Sequence, residues 1–205
     1  MSQNIVIVDY DAGNIKSVEK AVQFLGFDCN VTRDLEQIKK ADKIIIPGVG
    51  SFGDAMEKMR QYNLVDVLRD IAAKGNVPML GICLGLQILF SDSEETTGVE
   101  GLSLLPGHIV KFPDTPGFKI PHMGWNSIKI NSNSKLFKGI EEDSYVYFVH
   151  SYYLKASREE DVAATSDYIH PFHAAVESGN IFATQFHPEK SGEVGLKILR
   201  NFIEL

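Results

Sequence analysis

Apolar and polar positions follow two alternating patterns in the first half of the chain. Continuous apolar runs of strand length occupy residues 4–10, 43–48 and 77–83. Between the first two runs, the chain instead places four apolar side chains on one helical face before a glycine that ends the helix: Ile15, Val18, Val22, Leu25 and Gly26. Fully apolar strands that alternate with helices predict a parallel sheet covered by helices on both faces.

The same helical pattern predicts three further helices in this half. They cover residues 35–42, a long amphipathic stretch from residue 54 to Gly75, and residues 84–92 directly after the third apolar run. Residues 28–32 are too short and too mixed for an assignment. Parallel sheets of this kind bind ligands at the carboxyl ends of their strands, so we expect functional side chains just after the apolar runs.

From about residue 107, strand patterns replace this alternation. Six segments have strand character: residues 108–112, 125–130, 145–150, 161–166, 173–177 and 180–186. A final helix is predicted over residues 193–205, and residues 112–126 are predicted to form a long functional loop rich in proline and glycine. The sequence therefore predicts an α/β fold, in one domain over residues 1–205. Its mainly parallel central sheet is flanked by helices, with extra antiparallel strands in the C-terminal half.

Composition and charge narrow the classes of function. A chain of 205 residues, 44% of them hydrophobic, is large enough for one domain with a substantial core. Its net charge of −7 argues against a nucleic-acid partner, and no apolar run approaches the length that spans a bilayer. With two cysteines and no basic N-terminal leader, we expect a reduced, cytoplasmic protein without disulfides and without a membrane or nucleic-acid partner.

Cys83 is the cysteine whose surroundings indicate chemistry. It lies in the sequence GICLG (residues 81–85), where a predicted strand meets a predicted helix, and this is the nucleophile-elbow pattern with sulfur in place of oxygen. The sharp turn needs glycines, and it presents the nucleophile at a helix N-terminus, which favours a thiolate. The N–H of Leu84 can then face a developing oxyanion. The alternative is a buried structural cysteine, which is our interpretation of Cys29.

A thiol nucleophile needs a base, and the base needs a group that orients it. Among six histidines, His187 ends an apolar strand and precedes Pro188, which favours an extended backbone. Residues i and i+2 of an extended chain face the same way, so His187 and Glu189 are predicted to pair and to form a Cys–His–Glu triad with Cys83. His150 also ends a strand but lacks a carboxylate two positions later. No spacing suggests a metal site.

Three segments, in this order, resemble the class I, triad-type glutamine amidotransferases: PGVGSFGDAM (47–56), GICLGLQILF (81–90) and QFHPEKS (185–191). The resemblance covers nearly the whole chain. It implies the flavodoxin-like fold of that family and the hydrolysis of L-glutamine to glutamate and ammonia without a cofactor. The segments DYDAGNIKSVEKA, IPHMGWN and VYFVHSYY resemble one branch of the family, which serves histidine biosynthesis. One departure is Asp11, which stands where that branch has the first glycine of DYGxGN.

The resemblance also implies roles for residues around the triad. Cys83 would attack the side-chain amide, His187 would carry protons, and Glu189 would hold His187. The N–H groups of Leu84 and Val49 would form the oxyanion hole, and the peptide before Val49 would have to turn to present its N–H, which its flanking glycines permit. Four residues would contact the substrate: Gly50, Gln87, Ser151 and Tyr152.

A protein partner is a further implication of the resemblance. Members of this branch dock on a (β/α)8-barrel synthase subunit as a heterodimer, and the barrel conducts the ammonia to its own substrate. Met123 and Trp125 would pack on that barrel, since aromatic anchors are common at interfaces. Three polar residues would lie around the ammonia entry: Asn14, Tyr147 and Lys190. Trp125 as a core plug is the alternative.

Other functions stay open at this point. Within the family, the alternative is the glutaminase subunit of anthranilate or aminodeoxychorismate synthase, in which we do not expect the PHMGWN segment. Outside the family, the elbow alone permits a cysteine peptidase or another thiol hydrolase of flavodoxin-like architecture. A catalytically dead binding module is a third interpretation, which the intact triad disfavours.

Overall fold

The computed structural model describes residues 3–205. Its first half alternates strands and helices: β1 (Ile5–Val8), α1 (Ile15–Phe24), β2 (Cys29–Thr32), α2 (Leu35–Lys39), β3 (Lys43–Ile46), α3 (Phe52–Gln61), α4 (Leu64–Lys74), β4 (Met79–Ile82) and α5 (Leu84–Gln87). Its second half consists of short strands and a terminal helix: β5 (Asp92–Ser93), β6 (Gly107–Lys111), β7 (His122–Ser127), β8 (Lys129–Ile130), β9 (Tyr145–His150), β10 (Tyr152–Ala156), β11 (Val162–Tyr168), β12 (His170–Ser178), β13 (Ile181–Thr184) and α6 (Gly192–Ile203). Two 3-10 turns lie at Glu159–Asp161 and Pro188–Lys190.

Eleven of the strands in residues 3–205 belong to one sheet. β2, β1, β3, β4 and β13 lie side by side in parallel. β12, β10 and β6 continue the row as antiparallel neighbours, and β5 pairs in parallel with β6 at the far edge. β11 pairs with β12, and β8 pairs with β11. The predicted fold class, a parallel central sheet with antiparallel strands in the C-terminal half, is confirmed.

Alternate side chains of the parallel strands enter two separate parts of the core. In β1, Ile5 and Ile7 cluster with residues of α1 and α6, whereas Val6 and Val8 cluster with residues of α2, α3 and α4. All four are buried, as expected for a strand covered on both faces. Because β3, β4 and β13 are parallel neighbours, the segments that carry the predicted oxyanion donor, nucleophile and base all begin at one edge of the sheet.

Two predicted helices differ from the structure. The predicted helix over residues 54–75 is two helices, α3 and α4, because Asn63 adopts a φ of 56° and interrupts the helical backbone between them. The predicted helix over residues 84–92 ends already at Gln87. Beyond Gln87, the backbone carbonyls of residues 88–91 accept N–H groups of residues 101–105, so the chain there pairs with a neighbouring segment.

Strand pairing explains the other differences. Residues 122–124, predicted only as loop, lie in β7 because β9 pairs with β7 in register from His122 opposite His150 to Ser127 opposite Tyr145. The unassigned residues 28–32 contain β2, which pairs with β1, and β10 was not predicted at all. Pairing with a distant neighbour is not visible in local periodicity.

The antiparallel pair β7–β9 ends in two buried histidines. His122 and His150 lie opposite one another and pack against the rings of Phe148 and Phe172, and Tyr168 stacks on His122 with ring centroids 4.0 Å apart. Burial lowers the pKa of His122 to about 4 and the pKa of His150 to about 3. Both imidazoles are therefore uncharged at neutral pH.

Acid is expected to destabilise the fold through these two histidines. An unperturbed histidine titrates near pH 6.5, so below that pH the unfolded chain binds protons that the folded chain excludes, and the free energy of unfolding falls. Near pH 5.5 each histidine should lower the free energy of unfolding by roughly 1 kcal/mol for each pH unit of acidification. Urea unfolding between about pH 7 and pH 5 measures this slope. The slope for His122→Phe should be smaller than that of the wild type by about one histidine's share, and equal slopes would contradict the assignment.

Candidate active site

Cys83 stands at a strained turn between β4 and α5. Its backbone has φ 55° and ψ −107°, a conformation that residues other than glycine rarely adopt. The N–H of Cys83 donates to the carbonyl oxygen of Thr184 in β13 at 2.8 Å, which ties the turn to the sheet. The residue is 6% exposed. A strained conformation at a position fixed by the sheet is the geometry that the elbow pattern predicts.

Glycines on either side of Cys83 allow this turn. A Cβ atom at Gly81 would lie 2.6 Å from the carbonyl oxygen of Gly85, and a Cβ atom at Gly85 would lie 1.8 Å from the carbonyl oxygen of Ile46 in β3. Neither distance is compatible with a side chain. The glycines are therefore required by the close approach of α5 to β3 and β4.

The helix that follows the nucleophile is shorter than predicted. α5 has only four residues, so the aligned peptide dipoles that would favour a thiolate are few, and that part of the sequence-based argument loses its support. Two other groups contact the sulfur. Nε2 of Gln185 donates to Cys83 Sγ at 3.7 Å, and the carbonyl oxygen of Val149 lies 3.9 Å from the same sulfur.

His187 and Glu189 lie together behind the nucleophile. His187 follows β13 with an extended backbone, and Glu189 lies in the next 3-10 turn. Nδ1 of His187 is 2.8 Å from Oε1 of Glu189, and both side chains are fully buried. Nδ2 of Asn14 donates to the same carboxylate oxygen at 2.5 Å. Glu189 is therefore held from two sides while it orients the imidazole.

The imidazole of His187 is placed to exchange a proton. Within the described chain its Nε2 makes no hydrogen bond of ordinary geometry, although Cys83 is a close neighbour. Burial lowers the pKa of His187, but the neighbouring Cys83 and the hydrogen-bonded carboxylate of Glu189 outweigh burial and raise that pKa to about 9. One ring nitrogen is thus fixed by a carboxylate and the other remains for the thiol or a substrate.

The two predicted oxyanion donors do not face one point in this structure. The N–H of Leu84 donates to the carbonyl oxygen of Gly48 at 3.3 Å. A trans peptide directs its C=O and N–H to opposite sides, so the N–H of Val49, which shares a peptide with that carbonyl, points away from Leu84. The Gly48–Val49 peptide therefore has to rotate before both N–H groups can face one oxygen.

A cleft of about 330 Å³ opens beside the nucleophile. Its lining includes all six residues with a predicted oxyanion or substrate role: Val49, Gly50, Leu84, Gln87, Ser151 and Tyr152. Gln87 is buried at its wall, where Nε2 donates to the carbonyl oxygen of Tyr152 at 3.1 Å and to Oε1 of Gln185 at 3.2 Å. The structure thus brings these residues together, and their roles in binding stay predictions.

Two residues of the site were missed by the sequence analysis. Gln185 contacts the sulfur, and Glu95 lines the cleft while its Oε2 accepts the N–H of Phe52 at 2.7 Å. Gln185 lies two positions before His187, so the extended spacing could have indicated it. No local pattern marks Glu95, which reaches the cleft from the segment after α5.

Comparison with known proteins agrees with this geometry. The family model described as "Glutamine amidotransferase class-I" matches residues 6–205. The chain belongs to the class-I glutamine amidotransferase family. This match extends over the elbow, the Gly48–Val49 peptide and the His187–Glu189 pair, and it confirms the family membership that the sequence motifs predict.

Several relatives of this amidotransferase are similar over nearly its full length. It is 49% identical to "Imidazole glycerol phosphate synthase subunit HisH" of Moorella thermoacetica, over 98% of this chain and 94% of the relative. It is 50% identical to the protein of the same name from Methanothermobacter thermautotrophicus, over 98% of each chain. The identity to the protein of that name from Methanocaldococcus jannaschii is 47%, over 98% of this chain and 99% of the relative.

Solved structures with lower identity share the amidotransferase fold. A structure described as "Crystal structure of glutamine amidotransferase" superposes with a TM-score of 0.76 at 19% identity, over 97% of each chain. "Structure of PurLQS from Thermotoga maritima" superposes with a TM-score of 0.74 at 21% identity, over 100% of this chain and 99% of that one. At such identities the likeness concerns the fold.

The predicted interface residues of the amidotransferase lie partly on the exposed surface of β7 and β9 and partly beside the triad. Met123 and Trp125 are 62% and 55% exposed on β7, so Trp125 is not a core plug. Tyr147 lies opposite Trp125 on β9 with ring centroids 6.1 Å apart, and Lys190 is exposed. Asn14 donates its side-chain amide to Glu189, and its role at the ammonia entry stays a prediction.

A second cleft, the grouping of possible metal ligands and the length of the helices do not point to a further site. A larger cleft of about 780 Å³ lies between residues 130–142 and the C-terminal residues 201–205, and none of the predicted site residues lines it. Within the part of the chain that the structure describes, no three histidine, cysteine or acidic side chains are grouped to hold a metal ion. None of the helices there has the length and apolar character needed to cross a membrane.

Proposed function

We propose that this chain hydrolyses the side-chain amide of L-glutamine with Cys83 as nucleophile, His187 as proton carrier and Glu189 as the group that orients His187. The observation that carries this proposal is the convergence of three parts. The strained Cys83 turn opens on the 330 Å³ cleft, the buried His187–Glu189 pair lies beside the thiol, and the Gly48–Val49 peptide meets the N–H of Leu84 at the wall of the cleft. Membership of the class-I amidotransferase family supports it.

The first half of the reaction forms a thioester. The thiol proton of Cys83 passes to Nε2 of His187, and Sγ attacks the amide carbon. The carbonyl electron pair moves to oxygen, where the N–H groups of Leu84 and Val49 stabilise it. His187 gives its Nε2 proton to the amide nitrogen, the C–N bond breaks, and ammonia leaves. Glu189 stabilises the imidazolium that exists before this transfer.

The second half releases glutamate. Neutral His187 takes a proton from water, the water oxygen attacks the thioester carbon, and the C–S bond breaks to return Cys83. Gly50, Gln87, Ser151 and Tyr152 hold the amino-acid end of the substrate. A carboxylate such as Glu95 at the cleft wall complements the α-ammonium group.

We further propose that the chain is the glutamine-hydrolysing subunit of an imidazole glycerol phosphate synthase and that it acts in histidine biosynthesis. The support is the identity of 49%, 50% and 47% to three proteins named as that subunit, each over nearly the whole chain. The alternative, a subunit of anthranilate or aminodeoxychorismate synthase, is not favoured by these relatives. The two cysteines of this chain form no disulfide, which suits a cytoplasmic protein.

The partner in this proposal is a (β/α)8-barrel synthase subunit, bound as a heterodimer. Ammonia is protonated in water and then no longer a nucleophile, so a glutaminase of this kind needs a partner that receives ammonia directly. The exposed apolar side chains of Met123, Trp125 and Tyr145 lie on the β7–β9 pair, which borders the triad through the hydrogen bond from the His187 N–H to the carbonyl oxygen of Tyr147. This surface suits docking near the point where ammonia forms.

Co-expression with the barrel subunit tests the proposal. We expect a stable complex whose glutamine-driven synthesis exceeds the glutaminase rate of the isolated chain. Trp125→Ala should weaken the complex by roughly 30-fold or more, as expected when a central aromatic anchor is lost. Isothermal titration calorimetry measures the affinity, and circular dichroism checks that the variant is folded.

Phe24→Ala is the matched control, because Phe24 on α1, outside β7 and β9, is an aromatic residue that is even more exposed than Trp125 (77% against 55%). It should leave the affinity unchanged. Equal affinity losses in both variants would argue against the β7–β9 surface. A wild-type chain that hydrolyses no glutamine with or without the barrel subunit would refute the glutaminase function.

A further inference from the structure

The buried pair His122–His150 is part of a continuous hydrogen-bonded chain. Nδ1 of His150 is 2.9 Å from the carbonyl oxygen of Tyr152. Nδ1 of His122 is 3.0 Å from Nε2 of His150, and Nδ2 of Asn126 is 3.3 Å from Nε2 of His122. All four ring nitrogens of the two histidines therefore have a partner, although both residues are buried.

The two ends of this chain determine where every proton lies. The carbonyl oxygen of Tyr152 can only accept, so Nδ1 of His150 carries a proton. At the other end, Nδ2 of Asn126 also donates to a backbone carbonyl, which identifies it as the amide nitrogen and makes Nε2 of His122 the acceptor. With both rings uncharged, Nδ1 of His122 must then donate to Nε2 of His150. Both histidines are thus in the Nδ1–H form.

The chain continues from Tyr152 to the nucleophile. The carbonyl oxygen of Tyr152 accepts a second hydrogen bond from Nε2 of Gln87, which lies in the wall of the glutamine cleft. The same Gln87 nitrogen donates to Oε1 of Gln185, and Nε2 of Gln185 donates to Sγ of Cys83. The two histidines and Gln87 therefore share one acceptor, and the position of that acceptor affects both.

We infer that His122 and His150 are positioning residues of the glutamine site, which hold the Tyr152 carbonyl and through it the side-chain amide of Gln87. This inference rests on the proposed glutaminase function, in which Gln87 contacts the substrate. The hydrogen-bonded chain also connects β7 to the cleft, because His122 is the first residue of β7, which carries Met123 and Trp125.

Packing alone does not explain two histidines at these positions. The surrounding rings of Phe112, Phe148 and Phe172 form an apolar cluster that another phenylalanine would fill without any polar cost. Two buried imidazoles whose nitrogens are all paired instead impose one direction of hydrogen bonding and one position on the carbonyl at the end. That restriction is useful where an adjacent amide must be held for a ligand.

The test measures glutamine hydrolysis by the complex with the barrel subunit. His150→Leu removes both ring nitrogens and should raise the KM for glutamine about tenfold, the scale of one lost hydrogen bond, with kcat changed by less than about threefold. In His150→Leu, iodoacetamide should alkylate Cys83 at the wild-type rate, because the nucleophile and its base are unchanged. His122→Phe keeps the aromatic packing and should raise KM in the same direction by a smaller factor, which covers the case in which His150→Leu does not fold.

Two further substitutions at the same position separate the two bonds of His150. The amide nitrogen of asparagine takes the place of Nδ1, so His150→Asn should retain the bond to Tyr152 and restore most of the glutamine affinity. The amide of glutamine takes the place of Nε2, so His150→Gln should lose that bond and resemble His150→Leu. Tyr168→Phe is the packing control, since Tyr168 stacks on His122 while its hydroxyl bonds elsewhere, and its KM should equal that of the wild type.

A spectroscopic measurement tests the geometry without any turnover. In ¹⁵N-histidine spectra of the complex, both residues should be in the Nδ1–H form at neutral pH. An Nε2–H form at His150, an unchanged KM in His150→Leu or His122→Phe, or an equal KM change in Tyr168→Phe would overturn the inference. If the wild-type complex hydrolyses no glutamine, the proposed function fails and this role fails with it. A failure of this inference alone leaves wild-type hydrolysis intact.

Discussion

Cys83→Ala abolishes glutamine hydrolysis if the elbow carries the nucleophile, and this is the largest effect we expect from one substitution. Removal of the nucleophile of a catalytic triad typically costs about 10⁶-fold in kcat. No second thiol can replace it, because Cys29 lies in β2 and burial together with nearby carboxylates raises its pKa to about 11. The measurement is glutamate release by the complex, together with mass spectrometry after reaction with an electrophilic glutamine analogue.

Cys29→Ser is the matched control and should retain full activity and full labelling at Cys83. Within the triad, His187→Ala should lose nearly as much activity as Cys83→Ala. Glu189→Gln should be milder, since it leaves the base in place but poorly oriented. Labelling at Cys29 alone, or full turnover in Cys83→Ala, would remove Cys83 from the mechanism.

Val49→Pro is expected to lower glutamine-driven turnover of the complex by roughly 100- to 1,000-fold, the effect of losing one oxyanion donor. In the structure, the carbonyl oxygen of Gly48 occupies the N–H of Leu84, so hydrolysis requires the Gly48–Val49 peptide to rotate. After rotation the N–H of Val49 becomes the second donor, and proline has no N–H to offer. Turnover of the barrel subunit with added ammonia should be unchanged.

Val49→Ala is the control for this prediction, because it shortens the side chain and keeps the N–H. It should retain most of the glutamine-driven activity, and both variants should bind the barrel subunit. A structure with a covalent glutamine analogue on Cys83 provides a direct check. If the Gly48 carbonyl still accepts the N–H of Leu84 in that structure, or if Val49→Pro remains active, rotation of this peptide is not part of the reaction.

Features with a local physical cause could be predicted from the sequence. The segment GICLG predicts the elbow because the sharp turn leaves no room for side chains at Gly81 and Gly85. In the structure, a Cβ atom added at these positions would lie 2.6 and 1.8 Å from backbone carbonyl oxygens. The spacing of His187 and Glu189 predicts their pairing because alternate side chains of an extended chain face the same way. The apolar runs predict the parallel strands, since a strand covered on both faces needs apolar residues at every position.

Only the tertiary structure decided which distant groups complete the site. Asn14 meets Glu189 across 175 positions of sequence, and Gln185 meets Cys83 across 102. These contacts depend on strand order, and periodicity within one strand carries no information about its neighbours. The orientation of the peptide before Val49 was equally out of reach. Glycine permits several backbone conformations there, and the one adopted depends on the hydrogen bond that the folded chain offers at Leu84.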